Sequence, residues 1–418
     1  MMLTQFNFSN FKSYREAVSF DMSATLLKEH PYHLINPESD EPHLKSAVIY
    51  GANASGKTAV LEAFDFMRRY VLTSFKNENE RKSIPVLPFE FDETSRNGKS
   101  EFEVFFSYAG KEYQYGFVVD KKRVHSEWLY RRDRRGKNSY KTLFERSTHR
   151  IECKNLKEAC KFAYYVEDAT LFLSFISNLK MKDAKNVADW FSSTQVFHFG
   201  DADFESFLSR FVPISKMKDA AYKEQLEQFL KAIDMGIESI SFKEASRSSQ
   251  DDDQVAYELY SHHKSLDGKD VRALPFEEES NGTKKMFCLY HHLHEVLTHG
   301  RTLWIDELDA KLHPLLLRYV LNLFHNDTTN PCGAQLIYTS HENYTLTKEV
   351  FRRDQIWFAE KDALGQSSLY SLAEIRLDNE KKVRNDATYN KDYLSGRYGA
   401  VPSLKNFYVH DVTPWEDE

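Results

Sequence analysis

The chain has 418 residues, a formal charge of −7, a pI near 6.2, and abundant Phe and Tyr at 31 and 23. That is long enough for two or three domains or one core carrying an insertion, too aromatic for a disordered chain, and without the global basic field of a dedicated nucleic-acid binder. No run approaches the roughly 18 apolar residues of a membrane span, and Met1–Phe8 lacks the basic start of a secretory leader. Four cysteines without a C-x-x-C pair read as reduced thiols, so a cytoplasmic location is expected.

Residues 3–21 alternate as two strands around a turn at Asn10–Arg15, followed by a polar loop over 22–46. Ala47–Tyr50 reads as a short buried strand, and a helix runs from Lys57 to about Phe75. From Phe89 to about Ile151 the pattern is β. Phe102–Tyr108 and Tyr113–Val119 flank the hairpin signal Ala109-Gly110-Lys111-Glu112, and further strands lie near Val124–Arg131 and Lys141–Glu145. Helices are expected at Leu156–Val166, Leu171–Leu179, Val187–Phe191, Phe204–Phe211 and Tyr222–Asp234. Strands return at Ile237–Glu244 and Val255–His262, around the acidic loop Ser246–Asp253. After Gly282 helix and strand alternate, as in an α/β core.

The octapeptide Gly51-Ala52-Asn53-Ala54-Ser55-Gly56-Lys57-Thr58 fits G-x-x-x-x-G-K-[ST] at every fixed position, between a strand and a helix. Backbone N–H groups and the helix dipole there converge on a phosphate. Lys57 is expected to reach the terminal phosphates and the Thr58 hydroxyl to hold Mg²⁺. The motif binds ATP or GTP and does not read the base. Far downstream, Thr302-Leu303-Trp304-Ile305-Asp306-Glu307 is an apolar strand ending in two acids. Asp306 is placed to hold Mg²⁺ through water, and Glu307 to act as general base on the attacking water. About 250 residues separate Lys57 from Asp306, too many for a compact GTPase or small kinase.

Several segments resemble ABC-type ATPases. Ser280-Asn281-Gly282 resembles a reduced form of their signature loop, which binds the γ-phosphate held by the other subunit. Leu308-Asp309 falls at the D-loop, which turns Asp309 toward a dimer partner, and His341 matches the switch histidine on the γ-phosphate. No Q-loop glutamine can be placed. Asn10-Phe11-Lys12-Ser13-Tyr14 resembles the opening of RecF/SMC-like ATPases, and Glu307–Pro314 the matching segment of the OLD-like branch. The tail Tyr393-Leu394-Ser395-Gly396-Arg397-Tyr398-Gly399-Ala400-Val401-Pro402 resembles the C-terminus of RloA/AbiLi-type ATPases from two-gene abortive-infection operons.

The resemblance implies an α/β fold: a split P-loop ABC-type ATPase head with an antiparallel β portion and an inserted helical region. Residues 1–120 would form lobe I with the phosphate loop, 121–265 a β/helical insertion, and 266–418 lobe II. It also implies ATP and Mg²⁺ as cofactors, a homodimer or higher oligomer with ATP between two heads, a phage-derived trigger, and a separate effector encoded nearby. That effector would be a Toprim-type nuclease, since the roughly 75 residues after His341 are too few for one on this chain. The alternative is a RecF/SMC-like DNA-repair or chromosome ATPase gripping DNA directly. A transporter subunit fits the insertions and the opening poorly, and a vestigial scaffold fits intact Lys57, Asp306 and Glu307 poorly. Arg131–Lys137 reads as a solvated hairpin tip, and His262-His263 and His291-His292…His294 as surface or helix-face residues. Arg397 and Tyr398 serve either packing or nucleotide sensing.

Overall fold

The computed structural model describes residues 1–76, 83–133, 139–148, 150–199, 214–233, 236–244, 257–310, 312–376, 383–384 and 387–402. Its centre is a six-stranded sheet in the order Gln195–His198, Thr302–Asp306, Gln335–Thr339, Ser46–Tyr50, Ile356–Lys361, Ser367–Ser371. Neighbours are parallel except the last pair. Three of the four inner runs, SAVIY, TLWID and QLIYT, are buried at every position, the pattern of strands covered on both faces.

Successive side chains of these strands enter two different cores, as a period of two requires. Ala47, Ile49, Trp304, Ile337, Trp357 and Ala359 face the first core. Val48, Tyr50, Leu303, Ile305, Leu336, Tyr338, Ile356 and Phe358 face the second. The helix Lys57–Thr73 fills the first core, wedged between the parallel sheet and a seven-stranded antiparallel sheet. That second sheet runs Arg150–Cys153, Lys141–Ser147, Val124–Asp133, Lys111–Val119, Ser100–Tyr108, Met2–Ser9, Val18–Asp21. Phe64 is the wedge: its ring stacks on Trp304 at 4.6 Å and meets Phe6 edge-on at 5.3 Å. The second core is closed by the helices Ala220–Ile233, Asn281–His299 and Pro314–His325.

One buried amide ties the two sheets. Gln335 accepts from the Leu3 N–H at 2.6 Å and donates to the carbonyls of Leu3 (3.1 Å) and Leu44 (3.0 Å). The architecture is the α/β split head anticipated above: the phosphate-loop strand and the acid-bearing strand lie one strand apart in a single sheet.

Several expectations change. The boundary at 120/121 falls inside the antiparallel sheet, because Val124–Asp133 pairs along the length of Lys111–Val119. The region 121–265 also supplies Gln195–His198, a strand of the nucleotide sheet missed in a stretch read as helical. Leu156–Val166 narrows to a 3₁₀ segment, Ala159–Tyr165. Val271–Pro275 adds a third strand to the small sheet of Ile237–Glu244 and Tyr257–Lys264. Phe204–Phe211 and Ser246–Asp253 lie outside the described residues. Cys153 and Cys160, read as thiols, are joined in a disulfide with Cα atoms 5.8 Å apart, because the 3₁₀ segment folds back on the edge strand. Cys288 and Cys332 take no part in a disulfide. Among the described residues no helix is long and apolar enough to cross a membrane.

Because Phe64 is shared by both sheets, Phe64→Ala is expected to cost about 3–5 kcal/mol, read by denaturant unfolding. A loss below about 1 kcal/mol would mean that this ring is not the wedge.

Candidate nucleotide site

The strand Ser46–Tyr50 ends between two parallel neighbours, so its loop emerges where strand ends converge, the usual position of a ligand in an α/β sheet. The loop is braced on its glycines. A Cβ on Gly56 (φ 109°) would lie 2.6 Å from Ser367 Oγ and 3.0 Å from Ser13 Oγ, and one on Gly51 would meet the Ala359 carbonyl. Ser367 Oγ donates to the Ser55 carbonyl at 2.7 Å, and its N–H to the Ser13 carbonyl at 2.7 Å. The N-terminal segment thus serves as scaffold. Asn10 binds the carbonyls of Ser95 (2.8 Å) and Lys99 (3.2 Å), and Phe11 packs on Phe66 and Phe102. The helix that follows points its orphan first-turn N–H groups into the loop.

Lys57 is buried, and its ammonium donates to the carbonyls of Gly51 (2.8 Å) and Ala52 (3.0 Å), 3.5 Å from His341 Nδ1. Burial lowers its pKa to about 8, against the pull of Asp306, Asp309 and Glu307.

The acid pair is organised by Thr339, whose hydroxyl donates to Asp306 Oδ1 at 2.6 Å and accepts from the Glu307 N–H at 2.8 Å. Asp306 is buried, which raises its pKa. Hydrogen bonds from His198, Thr339 and Thr58 outweigh this and hold it below the usual carboxylate range. The residues fit a hard divalent cation: Asp306 stays ionised, and the Thr58 hydroxyl lies against it. Glu307 has φ 53°, a left-handed conformation that costs a non-glycine residue about 1–3 kcal/mol and points to a function there. Its carboxylate lies 3.5 Å from His341 Nε2, with side chains 40% and 38% exposed, so both reach the open side of the loop.

Three placements go beyond the sequence reading or against it. His198 was missed: it pairs in register with Asp306, its Nδ1 lies 3.5 Å from Asp306 Oδ2, and that hydrogen bond raises its pKa. The only signal was the apolar pair Val196-Phe197 within Gln195–His198, too short to separate from its helical surroundings. Asp309, expected to face a partner, turns inward. It is buried, and its Oδ2 accepts from the N–H groups of His341 (3.0 Å) and Glu342 (3.1 Å), donors past the end of their strand that need an acceptor. Ser280 caps the helix Asn281–His299 by accepting from the Thr283 N–H at 3.1 Å. Among the described residues no hydrogen bond joins Ser280, Asn281 or Gly282 to the loop Gly51–Thr58. This helix is nonetheless fastened to the acid segment, because Lys285 donates to the Ala310 carbonyl and lies 3.9 Å above the Phe199 ring.

The lesser candidates pack. Arg131 pairs with Asp183 at 2.7 Å and Arg132 with Glu112; residues 134–137 lie outside the described residues. His263 binds Glu279 at 2.6 Å, and His292 binds Gln195 at 3.1 Å. No group of three or more His, Cys, Asp or Glu that could hold a metal occurs among the described residues. Arg397 and Tyr398 both bind Asp392, at 2.9 and 3.0 Å.

A glycine loop between strand and helix, with a paired acid one strand away, defines a P-loop nucleotide-binding head. The family model described as "AAA domain, putative AbiEii toxin, Type IV TA system" matches residues 46–347, and the chain belongs to that family. The chain is also similar to an SMC head solved with the C-terminal winged-helix domain of ScpA (14% identity, TM-score 0.43, covering 92% of this chain and 100% of that one). It is similar to the recombination mediator RecF with ATP (12%, TM-score 0.31, 82% and 94%). No curated protein matches the sequence.

The low Lys57 pKa has two consequences with opposite signs. Between about pH 8 and 10.5 the unfolded chain holds this proton and the folded chain does not, so stability rises with pH in that window; below it the burial cost is present in full. A polyphosphate beside the ammonium retains the proton, so nucleotide binding above pH 8 should take up a proton and weaken as pH rises. Calorimetry near pH ~8.5 in two buffers of different ionisation heat reads this directly; equal enthalpies would refute it.

Proposed function

We propose that the chain is an ABC-type ATP hydrolase of the RloA/AbiLi kind, which dimerises around ATP and uses the cycle to control a separate effector in cytoplasmic anti-phage defence. The observation that supports the hydrolase part of this reading is the Thr339 hydroxyl holding Asp306 and Glu307 beside a phosphate loop whose lysine lies 3.5 Å from His341. Lys57 and the first-turn N–H groups bind the polyphosphate. Thr58 and Asp306 hold Mg²⁺, which when bound neutralises phosphate charge. Glu307, exposed and fixed by its backbone, orients the attacking water and accepts its proton, with His341 beside it. The inward Asp309 sets the backbone of His341, and so acts within the chain.

Ser280-Asn281-Gly282 of a second copy completes the site: a helix N-terminus is an anion site, and within one chain this one is not bonded to the loop. The family's description as a putative toxin of a type IV toxin–antitoxin system supports the defence role. The effector, following the tail resemblance, is a Toprim-type nuclease encoded nearby and set free by a phage-derived trigger.

Lys57→Ala should lose ATP binding. Glu307→Gln should keep it while turnover falls by about 10²–10⁴-fold; equal turnover in wild type and Glu307→Gln would remove Glu307 as the base. Affinity capture of tagged Glu307→Gln from its host, with mass spectrometry, tests the biological half. A stoichiometric nuclease encoded next door supports effector control, whereas DNA with repair proteins would replace it with the RecF-like reading.

A further inference from the structure

The tail motif is built into the phosphate loop. The helix Tyr389–Leu394 and the turns after it bring Tyr389, Tyr393, Tyr398 and Ala400 into the second core, where Phe358 stacks on Tyr393 at 5.3 Å. The Ala400 carbonyl accepts from the Ala52 N–H at 3.0 Å and from the Tyr393 hydroxyl at 3.1 Å. The Ala400 N–H donates to Glu360 Oε1 at 3.1 Å. The Tyr370 hydroxyl lies 3.0 Å from Glu360 Oε2 and 2.8 Å from the Tyr398 carbonyl, so carboxylate and tail backbone are held as one unit. Gly399 suits this position: φ 70° strains an L side chain, and a Cβ there would lie 2.6 Å from Tyr370 Oη and 2.9 Å from Glu360 Oε2.

The peptide caught by the tail also touches the lysine. Ala52 gives its N–H to Ala400 and its carbonyl to the Lys57 ammonium at 3.0 Å. We infer that Glu360 is a positioning residue for the nucleotide site: through the backbone of Ala400 it fixes the Ala52 peptide, and with it the phosphate loop and Lys57. The segment Gly399–Ala400 is therefore a latch on the loop, and the tail and the ATP site respond to each other. This rests on the nucleotide site proposed above. The carboxylate acts through the tail backbone, bonded to the Ala400 N–H and the Tyr370 hydroxyl.

The test is binding of a fluorescent ATP analogue with Mg²⁺ to the full chain, alongside thermal melting. Glu360→Ala should weaken binding about tenfold, through loss of a charge-assisted hydrogen bond to the latch. Glu360→Gln keeps an acceptor oxygen for the Ala400 N–H and should recover most of the affinity. Tyr370→Phe and Gly399→Ala, which disturb the latch from its other sides, should weaken binding in the same direction and serve if Glu360→Ala does not fold. Wild-type affinity in Glu360→Ala and Gly399→Ala would overturn the latch, as would lower melting temperatures with unchanged affinity. No binding by the wild-type chain would instead overturn the proposed function.

Discussion

The Thr339 hydroxyl is the constraint on which the candidate site depends. It satisfies one oxygen of a buried carboxylate and, as acceptor, the amide of a residue held at positive φ. Without an acceptor there, the Glu307 backbone would lose the bond that offsets its strain, and Asp306 would lose one of the donors that keep it ionised. Thr339 can do both only because its strand pairs in parallel register with Thr302–Asp306 on one side and Ser46–Tyr50 on the other. The same register places the two acids, His341 and the phosphate loop at the same end of the parallel strands.

That edge is held from several directions. Ser13 and Ser367 press on Gly56, the Ala359 carbonyl closes on Gly51, and Ala400 holds Ala52. These residues span almost the whole described chain, so the loop is a convergence of the fold more than a local motif. The wedge of Lys57–Thr73 between two sheets explains the arrangement: the helix whose first turn faces the site carries Phe64, which both sheets bury. Positional precision at the loop is thereby linked to the packing of the largest core.

The electrostatics are poised for an anion. Lys57 is buried with its charge opposed by desolvation and supported by three acids, and its ammonium rests on loop carbonyls. His198 adds a hydrogen-bonded imidazole on the far side of Asp306. A polyphosphate entering this group meets donors fixed before it arrives, which is how a site lowers reorganisation during reaction.

Much of this was legible in the sequence where the information is local. The octapeptide, its strand and its helix could be read because glycine spacing, an apolar run and a 3.6-residue period are properties of consecutive residues. Asp306, Glu307 and His341 stood out because each lies at or just past the end of an apolar strand. The hairpins of the antiparallel sheet could be read from their turns. What failed was long-range. The strand of His198 is four residues in a helical context, and only pairing with Thr302–Asp306 makes it β. The direction of Asp309 depends on which backbone donors need an acceptor 32 residues away. The disulfide depends on a fold-back that cysteine spacing does not encode. The role of the tail rests on a main-chain carbonyl, which every residue possesses and no composition reveals. The sequence by itself determined the phosphate loop and the alternating elements around it, because those follow from local spacing. The tertiary structure decided which groups meet at the loop, because register and main-chain contacts between distant segments exist only once the two sheets have closed on Phe64.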